Sequence, residues 1–193
     1  SVNHRLNRPD LHGLSIAVQG VGQTGARLAE RLAEAGCKIY AADVNAENIA
    51  SLQKKVEFEE VKPADIYDVP CDIFAPCAMG GTLNEETIPR LRCSVVAGSA
   101  NNQLLTEKDG VAMRRRNILY APDFAINAGG VINISCEIGK PYDASLAFEK
   151  TAAIADCLKE IFVRSDKLDL PTNKVAVQMA EEMLGRKTNN GKK

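Results

Sequence analysis

Three glycines near the start of the chain have the spacing that pyrophosphate binding requires. The apolar run 14–19 leads directly into Gly20, Gly22 and Gly25, in the pattern G-x-G-x-x-G. Gly20 permits a sharp turn, Gly22 lets the backbone approach a phosphate, and Gly25 allows a helix to pack closely on a strand. The stretch therefore predicts a strand, a tight turn and a helix whose free N–H groups face the phosphates of a dinucleotide. The alternative is a strand–helix–strand unit that binds no nucleotide.

A carboxylate follows the glycines at the distance that ribose recognition requires. Asp43 ends the predicted second strand, 37–43, roughly 20 residues past the glycines, where it could accept hydrogen bonds from the adenine ribose. Val44, Asn45, Ala46 and Glu47 come next, so no lysine or arginine is at hand to neutralise a 2′-phosphate. This favours NAD over NADP as the cofactor. In the alternative without a nucleotide, Asp43 is an ordinary turn residue.

Short apolar segments alternate with amphipathic ones along most of the chain. This alternation predicts an α/β fold with a doubly wound, mostly parallel sheet. The predicted strands are 14–19, 37–43, 56–61, 71–75, 94–97 and 118–121. The predicted helices are 23–35, 45–55, 84–91, a charged helix ending at 116, 127–139, 144–164 and 172–184, with a short helix or turn at 63–67.

Three loops of small residues follow strands and should therefore share the ligand-binding edge of the sheet. They are 77–82, 98–103 and 123–130. Asn102 and Asn127 are the most informative residues in them, because a carboxamide both donates and accepts hydrogen bonds. Either side chain could bind a nicotinamide amide or orient the carboxylate or amine of a substrate.

The predicted organisation is one Rossmann-type domain over residues 13–184, including C-terminal helices that cover the sheet or contact another domain. Residues 1–12 are predicted to be a lead-in or linker, and 185–193 a disordered tail. Ser1 stands where a starting methionine is usual, which is typical of an excised or processed chain, although removal of the methionine alone would give the same end.

Composition excludes several classes of protein. The formal net charge of the 193 residues is −1, so neither nucleic acid nor a membrane is an expected partner. The six cysteines are scattered without a C-x-x-C pair, as in a reduced cytoplasmic protein. The two histidines, His4 and His12, precede the first strand, so we expect no metal site and no histidine-based hydrolase or dehydrogenase chemistry.

Four segments in order, 19–25, 72–80, 98–104 and 120–133, make residues 11–184 resemble the cofactor domain of the glutamate/leucine/phenylalanine/valine dehydrogenases, leucine dehydrogenases in particular. The resemblance implies reversible oxidative deamination of an L-amino acid to a 2-oxo acid and ammonia, with NAD as hydride acceptor. It also implies an N-terminal catalytic domain as partner and a homo-oligomeric full-length enzyme.

The resemblance assigns roles to individual positions. The expected cofactor-binding residues are Gly20, Val21, Gly22, Gln23, Thr24, Gly25, Asp43, Cys77, Ala78, Ala100 and Asn127. The expected substrate-binding residues are Asn102, Val131 and Ile134. In the glutamate enzymes a serine at the position of Ile134 helps to bind the distal carboxylate. Burying that carboxylate against Val131 and Ile134 would cost several kcal/mol, so we expect an apolar substrate side chain.

Two departures from the family pattern affect the prediction. The glycine-rich segment that carries the family's catalytic lysines has no match here, and Lys38, Lys62 and Lys140 occur in polar contexts. No catalytic residue is therefore expected in this chain. The extra Lys-Pro within 139–142 could reshape the rim of the pocket. Two alternatives remain, namely a stand-alone module that binds NAD(H) as a sensor, and another oxidoreductase with its catalytic residues inside this chain.

Overall fold

Six short strands form a single sheet in the computed structural model, which describes residues 1–138 and 141–185. All of the pairings between them are parallel, and the spatial order is β3-β2-β1-β4-β5-β6. The strands are β1 (Ser15–Gln19), β2 (Lys38–Ala42), β3 (Glu59–Glu60), β4 (Ile73–Pro76), β5 (Val95–Val96) and β6 (Leu119–Tyr120). The predicted doubly wound parallel sheet is confirmed.

The central strand is apolar on both faces because helices cover both. Ile16 and Val18 point into one core and Ala17 into the other, and all three are almost completely buried. The first core includes residues of α2 (Gln23–Glu34) and α3 (Ala46–Gln53). The second includes Met113 of α4 (Glu107–Arg115) and the two 3-10 turns, Ile66–Asp68 and Ile88–Arg90.

A third core forms where the chain leaves the sheet. It joins Ala121 to apolar residues of α8 (Ile154–Leu168) and α9 (Thr172–Met183), among them Ile161, Phe162 and Met179. Ala97 and Leu119 extend it towards the strands. The C-terminal helices therefore cover part of the sheet, which was one of the two roles predicted for them.

The N-terminal segment contains a helix that the sequence did not predict. In α1 (Val2–Leu6), Val2 and Leu6 pack against the first core. The His4 ring lies 5.3 Å from that of Phe162, and its Nε2 is 2.9 Å from Asp166. The N-terminal helix α1 therefore packs against α8. The predicted domain boundary between residues 12 and 13 stays a prediction.

One predicted helix and one predicted strand are much shorter in the structure than expected. Asn84 does accept hydrogen bonds from the N–H groups of Glu86 and Thr87, but the predicted helix 84–91 is wrong. Only Ile88–Arg90 forms a 3-10 turn, because Pro89 lacks the N–H group that a longer helix would need. Of the predicted strand 56–61, only Glu59–Glu60 pairs with β2.

Two predicted C-terminal helices differ in the structure from their predicted bounds. The segment 144–164 forms α7 (Ala144–Ala152) and α8, which meet at Ala153. They separate because α7 packs against α6 while α8 packs against α9. The described part of the predicted helix 127–139 forms the shorter α6 (Gly129–Ser135), and the preceding loop holds the short α5 (Asp123–Ile126), which begins after Pro122.

The remaining sequence predictions lie at the ends of the described segments. Gly139 and Lys140 of the departure at 139–142 lie outside the described residues. Gly185 is a turn residue with a φ of 67°, and the rest of the predicted tail, 186–193, is also outside them. No helix among the described residues combines the length and the apolar character needed to cross a bilayer.

Candidate cofactor and substrate site

The glycine-rich turn begins where β1 ends. Gly20 has a φ of 86°, and its N–H group donates to the carbonyl of Ala42 at 2.7 Å. A Cβ at this position would lie 2.7 Å from the Cβ of Ala78. Only glycine therefore satisfies both the left-handed backbone and the close approach of the next loop.

Gly25 and Gly22 differ in their surroundings. A Cβ on Gly25 would lie 1.9 Å from the carbonyl oxygen of Gly20, so the first turn of α2 rests directly on the glycine-rich turn. A Cβ on Gly22 would meet no described atom within 4 Å. Gly25 is thus required by packing within the chain, whereas Gly22 leaves open space beside the backbone, as a cradle for a bound group would.

The N-terminus of α2 is suited to an anion. Gly22 is its N-cap and provides no side-chain hydrogen bond, and the first turn carries no acidic residue. The helix has 12 residues, so its dipole places partial positive charge at Gln23 and Thr24. Uncapped N–H groups at such an end can bind a phosphate.

Asp43 is fixed at the edge of this turn by its own hydrogen bonds. Its Oδ2 accepts from the Val21 N–H at 2.7 Å and from Asn48 Nδ2 at 3.2 Å, and its Oδ1 accepts from the Asn45 N–H at 2.8 Å. A carboxylate has about four lone-pair sites, so one site, on Oδ1, remains to accept from a hydroxyl of a sugar. The bond to Val21 brings together two residues that the sequence singled out separately.

Cys77 and Ala78 follow β4 and border the turn. The Cys77 N–H donates to the Gln19 carbonyl at 2.7 Å, which holds the loop beside β1. Burial raises the pKa of the Cys77 thiol, and hydrogen bonding to Ser99 opposes that shift. Ala78 is exposed next to Gly20. This loop therefore offers a neutral, small-residue surface at the sheet edge.

The structure brings Ala100, Asn101 and Asn127 together after β5. The Ala100 N–H donates to the Pro76 carbonyl at 2.9 Å. Asn127 Nδ2 donates to Asn101 Oδ1 at 2.5 Å and lies 3.5 Å from the Ala100 carbonyl. Asn102 adopts a left-handed conformation with a φ of 51°, and its carbonyl accepts from the Gly81 N–H at 2.7 Å. Its side chain stays exposed.

A buried network under this loop was missed by sequence reasoning. Gln103 is fully buried, and its Nε2 donates to the carbonyls of Gly98 and Ala100 at 2.9 and 3.0 Å. Asp123 accepts from the Gln103 N–H at 3.3 Å and from the Tyr120 hydroxyl at 3.1 Å. Burial, with the Asp123 charge, raises the pKa of Tyr120. No sequence pattern distinguishes Gln103 from a polar loop residue on the surface.

Val131 and Ile134 lie on the outer face of α6. They are 74% and 60% exposed, and Ile138, in the turn that follows α6, is 75% exposed. Large apolar side chains exposed together on one helix face usually mark a binding surface. The face that the sequence assigned to substrate is therefore available to a ligand or a second domain.

Both histidines and Lys38 lie away from this edge of the sheet. His4 binds Asp166 of α8, and the His12 ring packs over Gly36 before β2, at the opposite end of the strands from the glycine-rich turn. Lys38 pairs with Glu59 at 3.4 Å. Within 1–138 and 141–185, no group of three or more His, Cys, Asp or Glu side chains is placed to hold a metal ion.

The parallel sheet and the glycine-rich turn at its carboxyl edge define a Rossmann-type α/β domain. Residues 42–165 match the family model of the Glutamate/Leucine/Phenylalanine/Valine dehydrogenases. The chain belongs to this family.

Its relatives include a leucine dehydrogenase from Thermoactinomyces intermedius, 44% identical over 90% of this chain and 47% of the relative. A phenylalanine dehydrogenase from Caldalkalibacillus thermarum is 43% identical over 89% of this chain and 48% of the relative. The crystal structure of L-tryptophan dehydrogenase from Nostoc punctiforme superimposes with a TM-score of 0.91 at 39% identity, covering 95% of this chain and 56% of that one. The chain thus spans about half the length of the curated relatives it matches.

Proposed function

We propose that this chain is the NAD-binding part of an L-amino acid dehydrogenase that acts on apolar amino acids. The reaction is the reversible oxidative deamination of the amino acid to a 2-oxo acid and ammonia, with hydride passing to NAD. The observation that carries the proposal is the pairing of an open cradle at Gly22 with a fixed carboxylate at Asp43.

In this proposal the glycine-rich turn, 20–25, holds the pyrophosphate against the N-terminus of α2. Asp43 binds the adenine ribose, accepting a hydroxyl hydrogen bond at the one lone-pair site that remains on Oδ1. Cys77, Ala78 and Ala100 border the nucleoside, and Asn127 binds the nicotinamide end. When bound, NAD supplies the hydride acceptor, while these residues position it.

Asn102 and the outer face of α6 form one wall of the substrate pocket. The Asn102 carboxamide contacts the substrate near the reacting carbon, and Val131 and Ile134 contact its side chain. Their apolar surface favours leucine, valine, phenylalanine or tryptophan over glutamate, because a distal carboxylate would be desolvated there without a partner.

The catalytic lysines are proposed to belong to an N-terminal domain outside this sequence. A lysine that acts as a base near neutral pH must be desolvated in the closed cleft. The chain spans about half the length of the curated relatives, which supports a second domain of similar size. We also propose that the full-length enzyme is a homo-oligomer, as the family resemblance implies.

The test measures both NADH binding and amino-acid turnover by the 193-residue chain. NADH and NADPH are titrated by fluorescence, and NADH formation is followed with leucine, valine, phenylalanine, tryptophan and glutamate. We expect NADH binding to be at least about tenfold tighter than NADPH binding, since a 2′-phosphate would face Asp43. We expect no turnover with any amino acid.

Each contrary result has a distinct meaning. Failure to bind NADH would overturn the proposed function. Turnover by this chain would show that a catalytic base lies within it. In a full-length enzyme that includes the upstream sequence, faster turnover of glutamate than of leucine or valine would overturn the assignment of Val131 and Ile134.

A further inference from the structure

A cavity lies behind α6, on the side away from the proposed substrate wall. It has a volume of about 330 Å³, within the range of small-molecule sites. Its floor is formed by the buried side chains of Ile161, Ala176 and Met179. Ala128 and Ile132, four residues apart and so on one face, close it from the side of α6.

The described lining of this cavity, termed here the α6–α9 crevice, combines apolar side chains with one charged side chain, that of Lys150. Apart from Lys150, the described residues that line it are Phe124, alanines, isoleucines, methionines and Cys157. Lys150 is exposed at the end of α7, and within the part of the chain that the structure describes no carboxylate lies within salt-bridge distance of it. An apolar cavity with one cation beside it is complementary to an anion that carries an apolar tail.

We propose that the α6–α9 crevice binds an aliphatic monocarboxylate. The hydrocarbon tail lies on Ile161, Ala176 and Met179, and the carboxylate accepts a charge-assisted hydrogen bond from the Lys150 ammonium. The lining contains none of the proposed NAD and substrate residues, although α6 contributes to both and Ala128 directly follows Asn127. Its occupancy does not depend on NAD.

Cys157 provides a direct probe of occupancy. It lines the crevice and is exposed, whereas the other five cysteines are buried or half-buried. The rate of its alkylation by N-ethylmaleimide, followed by mass spectrometry, reports access to the cavity. We expect saturating octanoate to slow the alkylation of Cys157 severalfold. Acetate and octyltrimethylammonium, which lack the tail and the negative charge respectively, are expected to leave the rate unchanged.

Two variants separate the contributions of charge and cavity. Lys150→Ala is expected to weaken octanoate binding roughly fivefold, the effect of one partly exposed charge pair. Lys159→Ala, on the exposed surface of α8, is its control. Ala180→Phe fills the crevice from the exposed side of α9 and is expected to abolish binding, whereas Ala155→Phe, exposed on α8 outside the lining, is expected to preserve it. Melting curves confirm that each variant is folded.

Three results would overturn the proposal. In the first, octanoate leaves the alkylation rate unchanged. In the second, octyltrimethylammonium protects Cys157 as well as octanoate does, which would make the crevice apolar without selectivity for a carboxylate. In the third, protection follows protein concentration and self-association in sedimentation, which would assign the crevice to a second copy of the chain.

Discussion

Gly20, Gly22 and Gly25 occupy one turn, yet their missing Cβ atoms face three different surroundings. At Gly20 the left-handed backbone and Ala78 both require glycine. At Gly25 the carbonyl of Gly20 occupies the position of a side chain, whereas at Gly22 no described atom does. Packing and backbone conformation thus account for two of these glycines, whereas no described atom of the chain requires the third.

Gly22→Ala is therefore expected to separate binding from stability. Its φ of −64° suits alanine and its Cβ would meet no neighbour, so the melting temperature should stay within about 2 °C of wild type. NADH binding should weaken by about tenfold or more, because the added methyl lies where the pyrophosphate approaches. Fluorescence titration and thermal denaturation measure the two effects.

Gly25→Ala is the matched control for that variant. Its Cβ would overlap the Gly20 carbonyl, so we expect a loss of about 1–3 kcal/mol in the free energy of unfolding. If Gly22→Ala lost as much stability while keeping its NADH affinity, the role of Gly22 as an open cradle would be wrong.

Asp43 offers a second test at the same scale. Asp43→Asn removes the charge proposed to repel a 2′-phosphate, and it places an amide where the Val21 N–H needs an acceptor. We expect the preference for NADH over NADPH to narrow by about tenfold, the size of one hydrogen bond to a charged group. Asp65→Asn, at an exposed aspartate without a capping bond, should leave the ratio of the two dissociation constants unchanged.

At the scale of elements, strands were easier to predict than helices. Ile16, Ala17 and Val18 are apolar because both faces of β1 are buried, and such runs stand out in the sequence. The division of 144–164 at Ala153 depends on which neighbours α7 and α8 pack against, so periodicity within the segment does not reveal it. Sequence spacing located the glycine-rich turn and Asp43, but the bond between them and the Gln103 network arise only when distant segments meet.

The start of α4 gives a prediction about an element. The Thr106 hydroxyl donates to Asp109 Oδ2 at 2.8 Å within a capping box. Thr106→Ala removes the side-chain half of this cap and should lower the free energy of unfolding by about 1 kcal/mol. Thr106→Ser keeps the hydroxyl and should stay close to wild type in urea denaturation. Equal losses in both variants would assign the effect to the methyl group instead.

For the whole molecule, two half-buried thiols predict how the free energy of unfolding depends on pH. Cys71 and Cys93 lie at equivalent positions before the neighbouring strands β4 and β5, and both pack against the second core. Burial raises the pKa of Cys71 to about 12 and that of Cys93 to about 11, from an ordinary value of 9.0. Between pH 9 and these raised pKa values, the two thiols lose their protons in the unfolded chain but keep them in the folded chain.

Stability should therefore be unaffected by these thiols below pH 9 and should fall as the pH rises from there towards 11 and 12. The upper bound is about 1.4 kcal/mol per pH unit for each thiol. Urea denaturation at a series of pH values measures the slope. A Cys71→Ala, Cys93→Ala double variant should show a shallower one, and an unchanged slope would exclude these thiols as its source.

The bond between Asp43 and the Val21 N–H also bears on how the proposed coenzyme preference could evolve. A substitution that removes the carboxylate and leaves no acceptor at position 43 would release the backbone of the glycine-rich turn. A switch towards NADP therefore needs a neutral acceptor for the Val21 N–H, supplied either by an amide or hydroxyl at position 43 or by a second substitution. We expect single substitutions of Asp43 that keep such an acceptor to be the ones through which NADP binding can be selected.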